Sequence, residues 1–229
     1  MLHSKTWGTE FFVPCTLDGM VEALSGRKAQ AARNDEAILA AARAVFIADP
    51  SAPISAVADR AGVGISALYR RYRSKDELLQ RLCADGLEIY IAAAEEADAS
   101  PDPGPAFEAF VHRIVEEDTH SLTVKLAGTF PPTEELYRRA AYAGEVNTRV
   151  VERAREAKAI RDDFVVGDLG LIFEQLAAVR AFTDERTAEL RRRYTTLVLD
   201  AIRTPGTPLP GPPPQQGELA ARWNPPRSS

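Results

Sequence analysis

Ile54-Ser-Ala-Val-Ala-Asp-Arg-Ala-Gly-Val-Gly-Ile-Ser-Ala-Leu-Tyr-Arg-Arg-Tyr-Arg-Ser-Lys-Asp-Glu-Leu-Leu79 is the stretch that decides the fold. Ile54, Val57, Ala58 and Ala61 recur at helical spacing and give a first helix one apolar face. Gly62-Val63-Gly64 then breaks the pattern, and a glycine-containing turn of about three to four residues is what joins the two helices of a helix-turn-helix. From Ile65 to Tyr72 the chain carries Tyr69, Arg70 and Arg71 on a helix too short to be stable alone. A scaffold holds such a helix and offers it to the major groove, so double-stranded DNA is the expected partner.

The charge of the chain follows the same stretch. The formal net charge is −5, the wrong sign for a protein that coats nucleic acid. Residues 60–81 nevertheless hold Arg60, Arg70, Arg71, Arg73, Lys75 and Arg81 against Asp76 and Glu77, a local +4 that leaves −9 elsewhere. A basic reading head on an acidic body favours local DNA contact over wrapping.

Working outward, the remaining pattern is helical and the expected fold class is all-α. Ile38, Leu39, Ala42, Val45 and Phe46 form the stripe of a first helix, with Asp35 and Glu36 expected near its positive end. Ser74-Lys-Asp-Glu77 reads as a capping box that launches a long helix to about Asp98. Ser100-Pro-Asp-Pro-Gly-Pro105 breaks it. Further helices carry Phe107, Phe110, Val111, Ile114 and Val115, then Leu122, Val124 and Leu126, then, after a Thr133 cap, Leu136, Tyr137, Val146, Val150 and Val151. Two more are expected at about 167–182 and 184–203. Eight of the sixteen prolines fall within 204–229, a segment expected to be extended and mobile. Residues 1–26 show no helical periodicity and are expected to be a disordered extension; translation starts at Met1 or at Met20, which intact mass distinguishes. The domains are then 1–26 extension, 27–82 reading head, 83–203 helical body and 204–229 tail.

Ala61-Gly-Val-Gly-Ile-Ser-Ala-Leu-Tyr-Arg-Arg-Tyr72, the following Arg73-Ser-Lys-Asp-Glu-Leu-Leu79, and the upstream Arg33-Asn-Asp-Glu-Ala-Ile-Leu-Ala-Ala-Ala-Arg-Ala-Val-Phe46 together resemble the TetR (tetracycline repressor-like) family of bacterial regulators over about residues 27–82. Ser66-Ala67 stand where the family usually has Gly-Thr, Arg73 where it often has Pro, and Pro53 where it often has Thr or Ser. The resemblance implies a transcriptional regulator, a repressor that a small-molecule effector releases from a palindromic operator. It also implies that Tyr69 and Lys75 contact phosphates while the start of the recognition helix meets base edges. The DNA-binding candidates are Arg33, Ile65, Ser66, Ala67, Tyr69, Arg70, Arg71, Arg73 and Lys75. Arg70 has the chemistry for a bidentate contact to guanine. Tyr72 is expected in the core.

In the family the last two helices form a four-helix bundle with a second subunit. That implies a homodimer through Leu169, Ile172, Leu176, Val179, Leu190, Tyr194, Leu197 and Val198, although an internal core would give the same stripes. Tyr90, Phe107, Phe110, Phe130, Tyr137, Tyr142 and Phe173 are the aromatic candidates for an effector pocket, with ordinary core packing as the alternative. Catalysis has no support: there is no phosphate loop, no nucleophile elbow and no zinc-ligand spacing. No cofactor or metal is expected. Cys83 reads as a buried apolar residue, and Cys15 has no framework to join. No run approaches a membrane span, and a cytoplasmic protein is expected. The rival class is an all-α ligand-binding or scaffolding protein with a degenerate helix-turn-helix.

Overall fold

Two hydrophobic cores strung on one helix organise the molecule. The computed structural model describes residues 17–203, 206–215 and 218. Among them lie helices α1 (Leu17–Ala48), α2 (Ile54–Ala61), α3 (Ile65–Arg71), α4 (Lys75–Ala99), α5 (Pro103–Glu116), α6 (Thr119–Leu126), α7 (Glu134–Glu156), α8 (Val166–Ala178) and α9 (Asp184–Arg203), and no strand. The all-α expectation holds.

The first core gathers Ile38, Ala42 and Phe46 of α1, Val57 and Ala58 of α2, Leu68 of α3 and Leu78, Leu79 and Leu82 of α4. Leu122 and Leu126 of α6, with Phe130 and Leu136 beyond it, close the same core. The second core is built on Ala93, Ala94 and Ala97 of α4, packed by α5, α7, α8 and the end of α9. The expected boundary at residue 82 therefore falls inside a continuous helix. α4 is amphipathic throughout, so it serves the head with its first half and the body with its second.

Local chemistry sets the helix ends. Gly62, at φ 66°, closes α2 in the left-handed conformation, and the Val63 amide donates back to the Ala58 carbonyl at 3.1 Å. Ser74 Oγ accepts from the Glu77 amide at 3.1 Å, as the capping box requires, but Glu77 returns its carboxylate to the amide of Arg73 at 2.7 Å rather than to Ser74. Thr133 caps α7 through the Leu136 amide. Pro103 occupies the first turn of α5, where its missing N–H costs nothing.

Three expectations about extent are corrected. α1 begins at Leu17, so residues 17–26 are helical rather than part of an unstructured extension; residues 1–16 lie outside the described residues. Good helix formers such as Glu22, Ala23, Leu24, Arg27 and Lys28 propagate a helix without an apolar stripe to announce it. Asp35 consequently sits in mid-helix and cannot act on the helix terminus. α8 ends at Ala178, leaving Val179 in its C-terminal cap. In the tail, residues 206–215 are extended but docked. The Leu209 amide donates to Asp163 Oδ2 at 3.0 Å, Arg161 donates to the Thr207 carbonyl at 2.8 Å, and Pro214 lies over Gly167. No helix among the described residues is long and apolar enough to cross a membrane.

Candidate nucleic-acid interface

α3 has a fixed inner face and a bare outer one. Leu68 is fully buried in the head core and Tyr72 nearly so, four residues apart on one side. On the other side Ile65 is 40% and Tyr69 48% exposed, beside exposed Ser66 and Arg70, with Ala67 half-buried. Neither Tyr69 nor Arg70 has a side-chain partner among the described residues. Apolar and cationic groups left in water on a rigid short helix form a surface suited to base edges and phosphates.

The rear of α3 is locked to α1. Arg71 makes a bidentate ion pair with Asp35, Nε to Oδ1 at 2.8 Å and Nη2 to Oδ2 at 2.7 Å. The Tyr72 hydroxyl donates to the same Oδ1 at 2.7 Å. The Arg71 hydrogen bond, with help from Tyr72, holds the Asp35 carboxyl below the ordinary range against the opposing effect of burial. Burial, then the Asp35 partner, pushes the Tyr72 phenol up. Arg71 is thus a positioning residue for α3 in this arrangement. Asp35 is the functional residue that sequence reasoning missed; its partners lie 36 and 37 positions away, beyond any local pattern.

Lys75 is redirected in the same way. Its ammonium donates to the carbonyls of Pro50 at 2.9 Å and Ala52 at 2.8 Å and stands 4.9 Å from the centre of the Phe46 ring. Two of three N–H donors are therefore committed to the α1–α2 loop, and one remains for a phosphate. Arg81 pairs with Asp85. Arg73 is exposed and its side chain is unpaired among the described residues. Arg33 is exposed on α1, donating to Gln30 at 2.7 Å.

The seven aromatic pocket candidates do not share a pocket. Phe107, Phe110 and Phe173 are buried in the body core. Tyr90 meets Phe110 edge-on at 5.5 Å and Phe173 at 6.3 Å, close packing that leaves no space for a ligand between them. Phe130 belongs to the head core. Tyr137 and Tyr142 are exposed on α7, where the Tyr142 hydroxyl donates to Glu95 at 2.6 Å beside a groove of about 370 Å³. The large void lies elsewhere: a cleft of about 1420 Å³ between the head and the body, floored by α1 and walled by α6, α8 and α9.

The dimer candidates divide as well. Leu169 and Leu176 are buried in their own subunit's core, and Ile172 and Val198 pack against it. Tyr194 and Leu197 of α9 stand 48% and 52% exposed, with Leu190 and Val179 half-buried. Phe182, in the loop before α9, is fully exposed and was not among the sequence candidates. Burial raises the Cys83 thiol to about 12, so it stays protonated, as expected of a packing residue. Among the described residues no group of His, Cys, Asp and Glu has the arrangement of a metal site.

A short locked helix presented by a helical head on a helical body defines a helix-turn-helix DNA-binding protein. The family of bacterial regulatory proteins, tetR family, matches at residues 38–82. The transcriptional repressor LfrR of Mycolicibacterium smegmatis is 32% identical over 139 residues, 59% of this chain and 70% of its own length. The structure of the TetR-like regulator LfrR from Mycobacterium smegmatis in complex with proflavine is 26% identical, covers 72% of this chain and 94% of that one, and superposes with a TM-score of 0.51. PfmR of Thermus thermophilus, at 23% identity and a TM-score of 0.52 over 71% of this chain and 93% of its own, shares the fold. The chain belongs to the TetR family of bacterial transcriptional regulators: it is a DNA-binding regulator, and not an enzyme.

Proposed function

We propose that the protein is a homodimeric repressor that reads a palindromic operator through α3 and leaves it when a small molecule binds. The observation that carries the reading is the two-faced α3, whose outer residues are unpaired while Leu68, Tyr72 and Arg71 fix its pose. Ile65, Ser66 and Ala67 meet base edges, Arg70 reads guanine, and Tyr69 and Arg73 hold phosphates. Lys75 and Arg71 contribute chiefly by placing α3, with Lys75 keeping one donor for the backbone. The exposed Tyr194 and Leu197 on α9 support pairing of subunits through that helix, because apolar side chains left in water favour an interface. Two heads related by a two-fold axis then meet half-sites roughly 34–36 Å apart. LfrR, whose structure was solved with proflavine, supports a small-molecule effector here. Such a regulator works in the cytoplasm, where its DNA lies.

Selection of bound sequences from random DNA with the purified chain tests this. Enrichment of a palindrome is expected, lost with Tyr69→Ala and broadened at one position of each half-site with Arg70→Ala. A folded, helical protein that enriches nothing would leave an all-α binding protein with a degenerate head.

A further inference from the structure

Three guanidinium groups converge on the α5–α6 junction, two on the Asp118 carboxylate and one on main-chain carbonyls. Asp118 adopts the left-handed conformation, φ 49°, uncommon for a residue other than glycine. Arg191 of α9, only 6% exposed, donates to Asp118 Oδ1 at 2.6 Å, to Ser121 Oγ at 3.1 Å and to the Ala177 carbonyl at 2.9 Å. Arg180 donates to the same Ser121 Oγ at 3.0 Å and stands 3.9 Å from Asp118 Oδ2. Arg43 of α1 reaches across from the head and donates to the carbonyls of Glu117 at 2.8 Å and Asp118 at 2.5 Å. Arg191 and Arg180 share the single Asp118 carboxylate, and Arg43 is bonded to carbonyls with no carboxylate partner among the described residues.

All three face the head–body cleft. Its wall also carries Arg60, Lys125 and Arg192, none of which has a side-chain partner among the described residues. Against these six cations stand Glu116, Asp118, Glu174 and Asp184, so the cleft holds a net +2. Its remaining surface includes Ala44 and Ile47 of α1, Val115 of α5 and Ala177 of α8. A charged wall with a net positive balance, interspersed with apolar side chains, suits a ligand with one anionic end and an apolar remainder.

We propose that this cleft binds an amphiphilic organic anion, its carboxylate received by Arg180 and Arg43 beside the Asp118–Arg191 pair. The anion competes with the Glu117 and Asp118 carbonyls for Arg43. That bond ties α1 of the head to the body, so occupancy loosens the head's attachment. By linkage, operator DNA that favours the tied state must weaken the anion by the same factor. The effect on DNA rests on the repressor reading above; the binding step does not.

The test is calorimetric titration of the full chain without DNA, using octanoate and 2-naphthoate, each against its neutral amide, and 2-naphthylmethylammonium. At least one acid is expected to bind about ten-fold more tightly than its amide. Arg180→Gln, at a partly exposed position, should remove that advantage with thermal unfolding unchanged, and the ammonium should bind no better than the amide. Equal binding of acids and amides, no binding of either acid, or undiminished binding by Arg180→Gln overturns the site. Fluorescence polarisation on a selected DNA then reads the coupling. An acid that binds through Arg180 without weakening DNA overturns the Arg43 link alone. A protein that selects no DNA overturns the repressor reading, while the titration still decides the site.

Discussion

Removing the Asp35 carboxylate tests whether α3 is held by a shared anchor. In Asp35→Ala the Tyr72 hydroxyl, on a residue only 5% exposed, loses its acceptor. Stranding a buried hydroxyl costs about 1–3 kcal/mol. The Arg71 side chain is 60% exposed, so its ion pair with Asp35 contributes no more than about 0.5 kcal/mol after solvent screening. Alanine in mid-α1 returns about 0.5 kcal/mol of helix propensity. The net loss is about 2 kcal/mol, or about 4–8 °C in the unfolding midpoint of a chain this size.

Tyr72→Phe removes the same hydrogen bond from the other side but leaves Asp35 its arginine, and should cost about 1 kcal/mol. If one carboxylate serves both partners, the double variant falls no further than Asp35→Ala alone, a coupling of about 1 kcal/mol. Urea denaturation of all four proteins at one protein concentration measures this. Additive losses would refute the shared anchor. The anchor also has a pH signature. A lowered folded pKa means that its stabilisation is present above the unfolded value, about 3.9, and is lost as pH falls through the folded one. Wild type and Asp35→Ala should therefore converge in stability on acidification.

Lys75→Met keeps the stem over Phe46 but deletes two hydrogen bonds to loop carbonyls, and should destabilise by about 1–2 kcal/mol while weakening operator and random DNA alike. Unchanged urea stability with weakened DNA binding would instead assign it to phosphate contact alone. Gly62→Ala must hold φ near 66° with a side chain present and should cost about 1 kcal/mol by the same assay, although no atom crowds the site. For the tail, Arg161 and the Leu209 amide lower Asp163 to about 2, so the attachment should persist above about pH 4 and be lost as pH falls through that lower value. Amide exchange at Leu209 follows it. Gly167→Ala, whose Cβ would come within 2.8 Å of the Pro214 Cβ, should expose the same amide at neutral pH.

Much of this site was legible because it is local. The outward set of Ile65, Tyr69 and Arg70 against inward Leu68 and Tyr72 follows from helical spacing, as do the caps at Ser74 and Thr133 and the bounds of α9. What the sequence hid is pairing at a distance. Nothing near Arg71 points to Asp35, and nothing near Asp118 points to Arg191, 73 residues on. The aromatic candidates were legible only in part: periodicity marks Tyr90, Phe110 and Phe173 as buried, but whether buried rings enclose a cavity or fill it depends on three helices at once. The start of α1 escaped because propensity alone carries it.

Those distant pairings change what the basic stretch can do on DNA. Of its six cations, Arg71 is bonded to Asp35, Arg81 to Asp85 and Lys75 mainly to loop carbonyls, while Arg60 lines the cleft. Arg70 and Arg73 alone remain beside the outer face of α3, and Arg70 is assigned to a base. Each phosphate neutralised steepens the dependence of log K on log salt by about 0.9. Arg73→Gln, acting once in each head of a dimer, should therefore flatten that slope by about 2. Arg71→Gln should lower affinity through the pose of α3 with little change of slope, and Arg81→Gln should leave the slope alone. Operator titrations across a range of KCl separate the three. A slope that falls equally for Arg71→Gln would mean that this guanidinium abandons Asp35 for the backbone when DNA arrives, and that the lock on α3 forms only in its absence.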